Sequence, residues 1–370
     1  MQETLTNPES EITAIEDIPT PFMLINVQVV KQNIQRLAAY AQEHGLQVRP
    51  HSKTHKSLRV GRWQLDAGAI GLTVAKVGEG EVMAEICRDM LLAYPAVDKS
   101  RCRRAASLAG QIDLKVAIDS STAAEGLGAA ARTAGTSIGI LVDMDVGLGR
   151  TGLQRIAQTL ELAQQVDTTR GLRLDGLFIY PGHVQSQMDD LAAVTQKTQE
   201  TLDQWQKHGL CTRIVSGGST PTAYHSHRVP QTEIRPGTYI FNDINTVTAG
   251  CCALDDCAAR LVCTVVSDAV PGQVVIDAGT KTLTGESCPA DPDSGQGHVV
   301  EYPQAHIKAY SEEHGLVNVR DCPSRPQIGQ RVTVVPNHIC VCVNLQDRAW
   351  LDHGDCTAEP LPIDTRGRLS

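Results

Sequence analysis

Aromatic residues are scarce. Three Phe, three Trp and seven Tyr make up 4% of the 370 residues, so a core must be built mainly from Ala, Leu, Val and Ile. There is no long basic run, and 42 acidic against 33 basic side chains leave a net charge of -9, which argues against nucleic acid as a partner. No stretch reaches about 18 apolar residues free of charge, so no transmembrane span is expected. The first residues, MQETLTNPESE, are polar and acidic and do not read as a secretory leader. The 12 cysteines are therefore expected to be reduced, in a cytoplasmic protein. Cys251, Cys252 and Cys257 lie close together, but CC followed by DDC is not a zinc spacing, and they read as structural.

What is present is a globular composition with 41% hydrophobic residues and enough length for one large domain plus a second. Short apolar strands alternate with amphipathic helices between residues 27 and 245. FMLIN at 22–26 is followed by a helical stripe of Val30, Ile34, Leu37, Ala38 and Ala41 that stops at Gly45. LQV, AIGLTVA, DMLLAYP, DLKVAID, SIGILVDMDV, LRLDGLFIYPG, RIVSGG and EIRPGTYIFND then read as strands. Eight such units predict an α/β fold, a (β/α)8 TIM-type barrel over residues 27–250. Beyond residue 255 the Val-rich segments ARLVCTVVSDAV, GQVVIDAGTK, RVTVVPN and ICVCVNL predict a C-terminal antiparallel β domain over 255–370, joined by the strand at 18–26.

Barrel chemistry sits at the strand ends. RPHSKTHKS, residues 49–57, follows the first barrel strand directly. It is either a basic surface turn or the seat of one special amine, because neighbouring positive charge disfavours a protonated lysine and favours a Schiff-base nucleophile. SGGSTPT at 216–222 follows the seventh strand, with backbone amides and hydroxyls that suit a phosphate. DVGLGRTG at 145–152 brings Arg150 to the same end, Tyr180 and His183 close the sixth strand, and Arg235 and Tyr239 are read on the last strand.

Taken in order, TPFMLINVQVVKQNI, RPHSKTHK, DVGLGRTG, SGGSTPT, EIRPGTYIFND, DAGTKTLTGE, EEHG and VVPNHICVCVNLQD resemble the D-threonine aldolase and D-serine dehydratase-like family of pyridoxal-phosphate enzymes, over residues 18 to 355. The resemblance implies a homodimeric lyase acting on a small D-3-hydroxy amino acid. Lys53 would carry pyridoxal 5'-phosphate, with Lys56 its nearest rival. Gly217, Gly218, Ser219 and Thr220 would hold the phosphate, with help from Tyr239. Tyr180 would belong to the cofactor site, and Arg150 or Arg235 would approach the pyridine ring. His51 and His183 would be the acid–base or orienting groups.

VVPNHICVCVNL at 334–345 reads as a strand, on which His338 and Cys340 would face one side and hold a zinc-like ion. Cys342 would be next on that face. The resemblance implies a divalent ion, Zn2+ or Mn2+, that binds the substrate hydroxyl. It implies retro-aldol cleavage to glycine and an aldehyde, or dehydration to a 2-oxo acid and ammonia. Aldolases of the family commonly carry His-x-Asp here and dehydratases His-x-Cys, so the pair leans toward dehydration. Racemisation is a third outcome, which would need a second acid–base group; the region after residue 262 offers Tyr302 and Tyr310.

Overall fold

A computed structural model describes residues 12–184, 189–289 and 291–370. The chain divides into two compact units, one of Ile34–Gly237 with Gly367–Ser370, the other of the residues up to Asn33 with Thr238–Arg366.

The larger unit is a (β/α)8 barrel. Its strands are β1 Gln47–Val48, β2 Leu72–Val74, β3 Asp89–Leu92, β4 Asp113–Ile118, β5 Ile138–Met144, β6 Leu172–Ile179, β7 Ile214–Gly217 and β8 Glu233–Ile234. All pair in parallel, in the order β1-β8-β7-β6-β5-β4-β3-β2. The ring closes between the first two strands: Ile70 N donates to Val48 O at 2.9 Å, Thr73 N to Pro50 O at 2.9 Å and Ser52 N to Thr73 O at 2.8 Å.

Two helices form where the sequence supplies both an apolar stripe and a cap. Asp98 accepts from Ser100 N and Arg101 N at 3.0 Å and starts Lys99–Ala109. Ser121–Ala134 ends at Gly135, whose φ of +69° suits glycine. Between helices and strands lies an aliphatic core whose one large aromatic, Trp205, is fully buried and donates to Thr159 Oγ1 at 3.2 Å.

Side-chain alternation along the strands builds a separate layer of Leu91, Ala117, Leu141 and Phe178. One step earlier on the same strands, Asp89 and Lys115 join Arg49 and Glu233 in a network of ion pairs. One step later come Asp119, Asp143 and Tyr180, so the strand C-terminal ends carry a polar layer.

The second unit is built on a ten-stranded, mainly antiparallel sheet. Phe22–Asn26 pairs antiparallel with Ala259–Ser267 and parallel with Arg348–Asp352. Arg331–Val335 lies on the other side of Ala259–Ser267, and Gln273–Ile276, Gly315–Asn318 and His306–Tyr310 follow as a meander.

Three sequence expectations are corrected. EIRPGTYIFND is not one long strand: pairing stops at Ile234, Pro236 and Gly237 intervene, and Thr238–Ile240 forms a 3-10 turn, so Tyr239 is not on β8. The segment 238–250, read as barrel, partitions with the β unit, because Ile244 N and Asn245 N donate to Pro336 O and Asn337 O. Finally, the strand ends at Val335, and Ile339–Leu345 is a helix with His338 at its N-cap position. Its buried residues Ile339, Cys342 and Val343 follow helical spacing, although β-branched residues made the segment resemble a strand.

Candidate active site

Lys56 Nζ lies 2.5 Å from Glu79 Oε1, with both side chains buried. Glu79 Oε2 in turn accepts from Ala75 N and Lys76 N. Lys56 is thus a structural cation. Lys53 is half-buried, and its Nζ makes no ion pair or hydrogen bond to a described residue. Its backbone N donates to His51 Nδ1 at 3.4 Å. His51 is buried, and its own N donates to Pro236 O at 3.1 Å beyond β8. Burial, then the charges of Lys53 and Arg235, hold its imidazole well below the ordinary value and so neutral. His55 is pushed down to about 4 by burial, and its ring contacts Gln64 Oε1 at 3.2 Å.

Arg235 follows β8 and is buried. Its Nε donates to Ser216 Oγ at 2.7 Å and its Nη2 to Ile179 O at 2.6 Å, with the guanidinium 3.8 Å from the Phe178 ring centroid. Burial brings it down to about 10 despite the opposing charges of Glu233 and Asp143. Asp143, on β5, is pushed up to about 6 by burial, against a hydrogen bond from Thr151 and the charges of Arg235 and Arg150. Arg150 is exposed and stands 4.7 Å over the Tyr180 ring. Its loop is ordered by Asp145, whose Oδ1 accepts from Gly147 N and Gly149 N at 3.2 and 3.0 Å. His183 packs on the same loop: a Cβ at Gly147 would stand 2.8 Å from its Nε2. Its buried Nδ1 has no hydrogen-bond partner among the described residues.

The loop after β7 is a glycine-lined cradle. A Cβ at Gly217 would meet Gln231 Oε1 at 2.1 Å and Ile179 Cγ1 at 2.9 Å, and Gly218 has φ +80°. Ser219 and Thr220 are buried; Ser219 N donates to Thr222 Oγ1 at 3.1 Å, and the two hydroxyl oxygens lie 3.0 Å apart. An uncommitted amine, a buried arginine and this cradle on one barrel rim fit a phosphate-bearing aldehyde cofactor.

In the β unit, His338 Nδ1 contacts Asp243 Oδ2 at 3.0 Å, which also accepts from Ile339 N at 3.1 Å. Asp243 is itself fixed by Thr246, whose N donates to Oδ1 at 3.0 Å. Burial alone would lower His338, but Asp243 and Cys340 raise it to about 11. An anionic setting that strong also suits a cation, and with Nδ1 held by a carboxylate the imidazole presents Nε2 beside the Cys340 thiol. Among the described residues no group of three or more His, Cys, Asp or Glu side chains is placed to hold a metal ion. Cys342 is not on their face: it is buried and donates to Leu283 O at 3.2 Å. Tyr239 is buried in this unit, in the 3-10 turn.

Residues 25–244 match the model of the alanine racemase N-terminal domain, and residues 258–351 that of a putative serine dehydratase domain. The chain belongs to the D-threonine aldolase and D-serine dehydratase-like family. It is a pyridoxal-phosphate-dependent lyase by that membership. It is 28% identical to a D-threonine aldolase of Arthrobacter sp., over 95% of this chain and 93% of the relative. It is also 28% identical to the D-threo-3-hydroxyaspartate dehydratase of Delftia sp. (strain HT23), over 87% and 91%. Among solved structures, the D-threonine aldolase from Filomicrobium marinum superposes with a TM-score of 0.90 at 26% identity, covering 98% of this chain and all of the other. The Delftia dehydratase gives 0.87 at 25%, covering 95% and 99%.

Asp143 and Asp243 escaped the sequence reading. Asp143 stood inside a strand and carried a usable signal, two residues beyond Leu141 on the inward face. Asp243 carried none, because its partner lies 95 residues away.

Proposed function

We propose that this lyase uses pyridoxal phosphate on Lys53 and a divalent ion, Zn2+ or Mn2+, to cleave D-3-hydroxy amino acids to glycine and an aldehyde. The observation that carries the reading is the contrast between the two lysines. Lys56 is spent on Glu79, whereas the Lys53 amine is uncommitted beside a neutral His51. The aldolases among the relatives support the substrate class.

When bound to Lys53, the cofactor supplies an electron sink for the bond broken at Cα. Gly217, Gly218, Ser219 and Thr220 would hold its phosphate. Tyr180 stacks with Arg150, which makes no hydrogen bond to a described residue, and either Arg150 or Arg235, whose Nε and Nη2 donate to Ser216 and Ile179, would meet the ring. An ion on His338 and Cys340 would polarise the substrate hydroxyl. His183 would accept the hydroxyl proton, and His51 would orient Lys53. Tyr239 would contribute to phosphate binding. The working form would be a homodimer.

A second reading, dehydration to a 2-oxo acid and ammonia, is favoured by one observation. A D-threo-3-hydroxyaspartate dehydratase has been solved as a His-to-Ala and a Cys-to-Ala mutant two positions apart, the latter in the metal-free form. That is the spacing of His338 and Cys340. There Lys53 would remove the α-proton. Racemisation has less support: the Tyr302 hydroxyl is paired with Gln330, and Tyr310 donates to Gln296 O at 2.5 Å.

Incubation with D-threonine or D-serine and zinc or manganese separates the readings. Glycine with acetaldehyde from D-threonine supports cleavage. A 2-oxo acid with ammonia supports dehydration. Absence of the visible absorption of a lysine-linked cofactor in protein saturated with pyridoxal phosphate overturns both.

A further inference from the structure

On the surface of the barrel unit, four rings meet in a chain that is poor in aromatics. They come from the end of the helix Val27–Glu43, from His44 just beyond it, and from the 3-10 turn Ala223–Arg228. The Tyr40 ring lies 4.6 Å from His44, 5.3 Å from Tyr224 and 5.9 Å from His227. The His44 and His227 imidazoles stack at 4.1 Å, with 11° between their planes. The Tyr40 hydroxyl accepts from His227 N at 3.1 Å and lies 2.8 Å from His227 Nδ1, to which it donates when that ring is neutral. His44 and His227 are both exposed, so protons reach them freely.

The turn begins where the glycine-lined cradle ends. His225 N and Ser226 Oγ both donate to Thr222 O at 3.0 Å, and Thr222 Oγ1 accepts from Ser219 N at 3.1 Å. Gln231, whose Oε1 lies against Gly217, donates its Nε2 to Ser226 O at 2.8 Å. A continuous line of contacts therefore runs from the ring cluster to the cradle.

We propose that the ring cluster is a pH-sensitive clasp: neutral His44 and His227 hold the turn 223–228 against the helix, and protonation of the stacked pair releases the turn and loosens the loop 219–222 before it. The consequence for phosphate binding rests on the proposed cofactor site, whereas the release itself does not. A protonated His227 carries N–H at both ring nitrogens, so Nδ1 no longer accepts from the Tyr40 hydroxyl. A proton on His44 as well sets two like charges 4.1 Å apart. The neighbours act in the same sense. Burial, then the charges of His44, Arg228 and His225, hold His227 below the ordinary imidazole value, with Glu43 opposing them. His225 is itself lowered by burial and by Arg228. The closed clasp therefore binds protons less readily than the open turn. It holds above the ordinary imidazole range and gives way as pH falls through that range.

The experiment uses the full chain without cofactor. Hydrogen exchange, corrected for intrinsic rate, reads the amides of His227, Val229 and Ser219, which donate to Tyr40 Oη, Ser226 O and Thr222 Oγ1. It is run at about pH 7.5 and about pH 5.5, either side of the ordinary imidazole value. Protection of the three amides should fall on acidification, by about tenfold for each pKa unit that closure takes from a ring. His44→Gln, which leaves no like-charge pair, should show a smaller fall, and Tyr40→Phe should show low protection at both pH values. No fall in the parent, or an equal fall in His44→Gln, overturns the clasp. Equilibrium dialysis with pyridoxal phosphate on the same proteins reads the consequence. Parent affinity should drop more between the two pH values than that of His44→Gln, and an equal drop overturns the link to the cradle. A pH-sensitive clasp in protein that binds no pyridoxal phosphate overturns the cofactor reading alone.

Discussion

The Lys56 ammonium and the Glu79 carboxylate lie 2.5 Å apart with both side chains buried, three residues beyond the uncommitted amine of Lys53. The two lysines of one short motif therefore have opposite fates on substitution. Lys56→Met would leave the buried Glu79 carboxyl without its cation, a loss of about 3–5 kcal/mol. Lys53→Met would alter apo-protein stability by no more than about 0.5 kcal/mol and would abolish the visible absorption of the bound cofactor. Urea unfolding and absorption spectra of the two variants check this, and an unstable Lys53→Met protein would reverse the assignment.

Asp143 predicts a pH dependence. Its folded-state value is about 6 against 3.8 for the free side chain, because burial disfavours the anion. The native state therefore holds the proton longer than the unfolded state. Between about pH 4 and 6 the contribution of Asp143 to stability falls as pH rises, then levels off, by about 3 kcal/mol in all. In Asp143→Asn that segment of the stability curve should flatten. Unfolding free energies of both proteins at pH 4 and pH 7 test it, and parallel curves would refute it.

Asp243 holds His338 at 3.0 Å and receives Ile339 N. Asp243→Asn should weaken zinc binding by about 10–100-fold, while His338→Ala or Cys340→Ala removes a donor outright. Zinc titration with a competing chelator measures all three. Equal affinity in Asp243→Asn and the parent would place the ion elsewhere.

Gly217→Ala forces a methyl group against Gln231 Oε1 and Ile179. The loop must shift, with a stability loss of about 1–3 kcal/mol and weakened pyridoxal-phosphate binding. Gly209→Ala, whose Cβ meets nothing within 4 Å, strains only its φ of +74° and should leave cofactor affinity unchanged. Equilibrium dialysis with pyridoxal phosphate compares the pair.

By itself the sequence determined the architecture, because strand and helix alternation is written in local apolar periodicity, and eight repeats of it close as a barrel. It also placed Lys53, Arg150, Tyr180, His183 and Ser219 next to strand ends, since a residue just after a strand in this topology can only lie at the rim. Tertiary structure decided the rest. Val-rich VVPNHICVCVNL has strand propensity, yet it turns into a helix after Asn337 because Asp243, distant in sequence, caps Ile339 N. Residue type and spacing in RPHSKTHKS do not distinguish Lys53 from Lys56, which only the family resemblance separated; the Glu79 carboxylate, contributed by the helix Val77–Met83, does so physically by pairing with one of them. The burial that lifts Asp143 is likewise set by packing and not by propensity. Local pattern determines elements and their order, whereas the charge state and commitment of a side chain depend on partners that only the folded chain assembles.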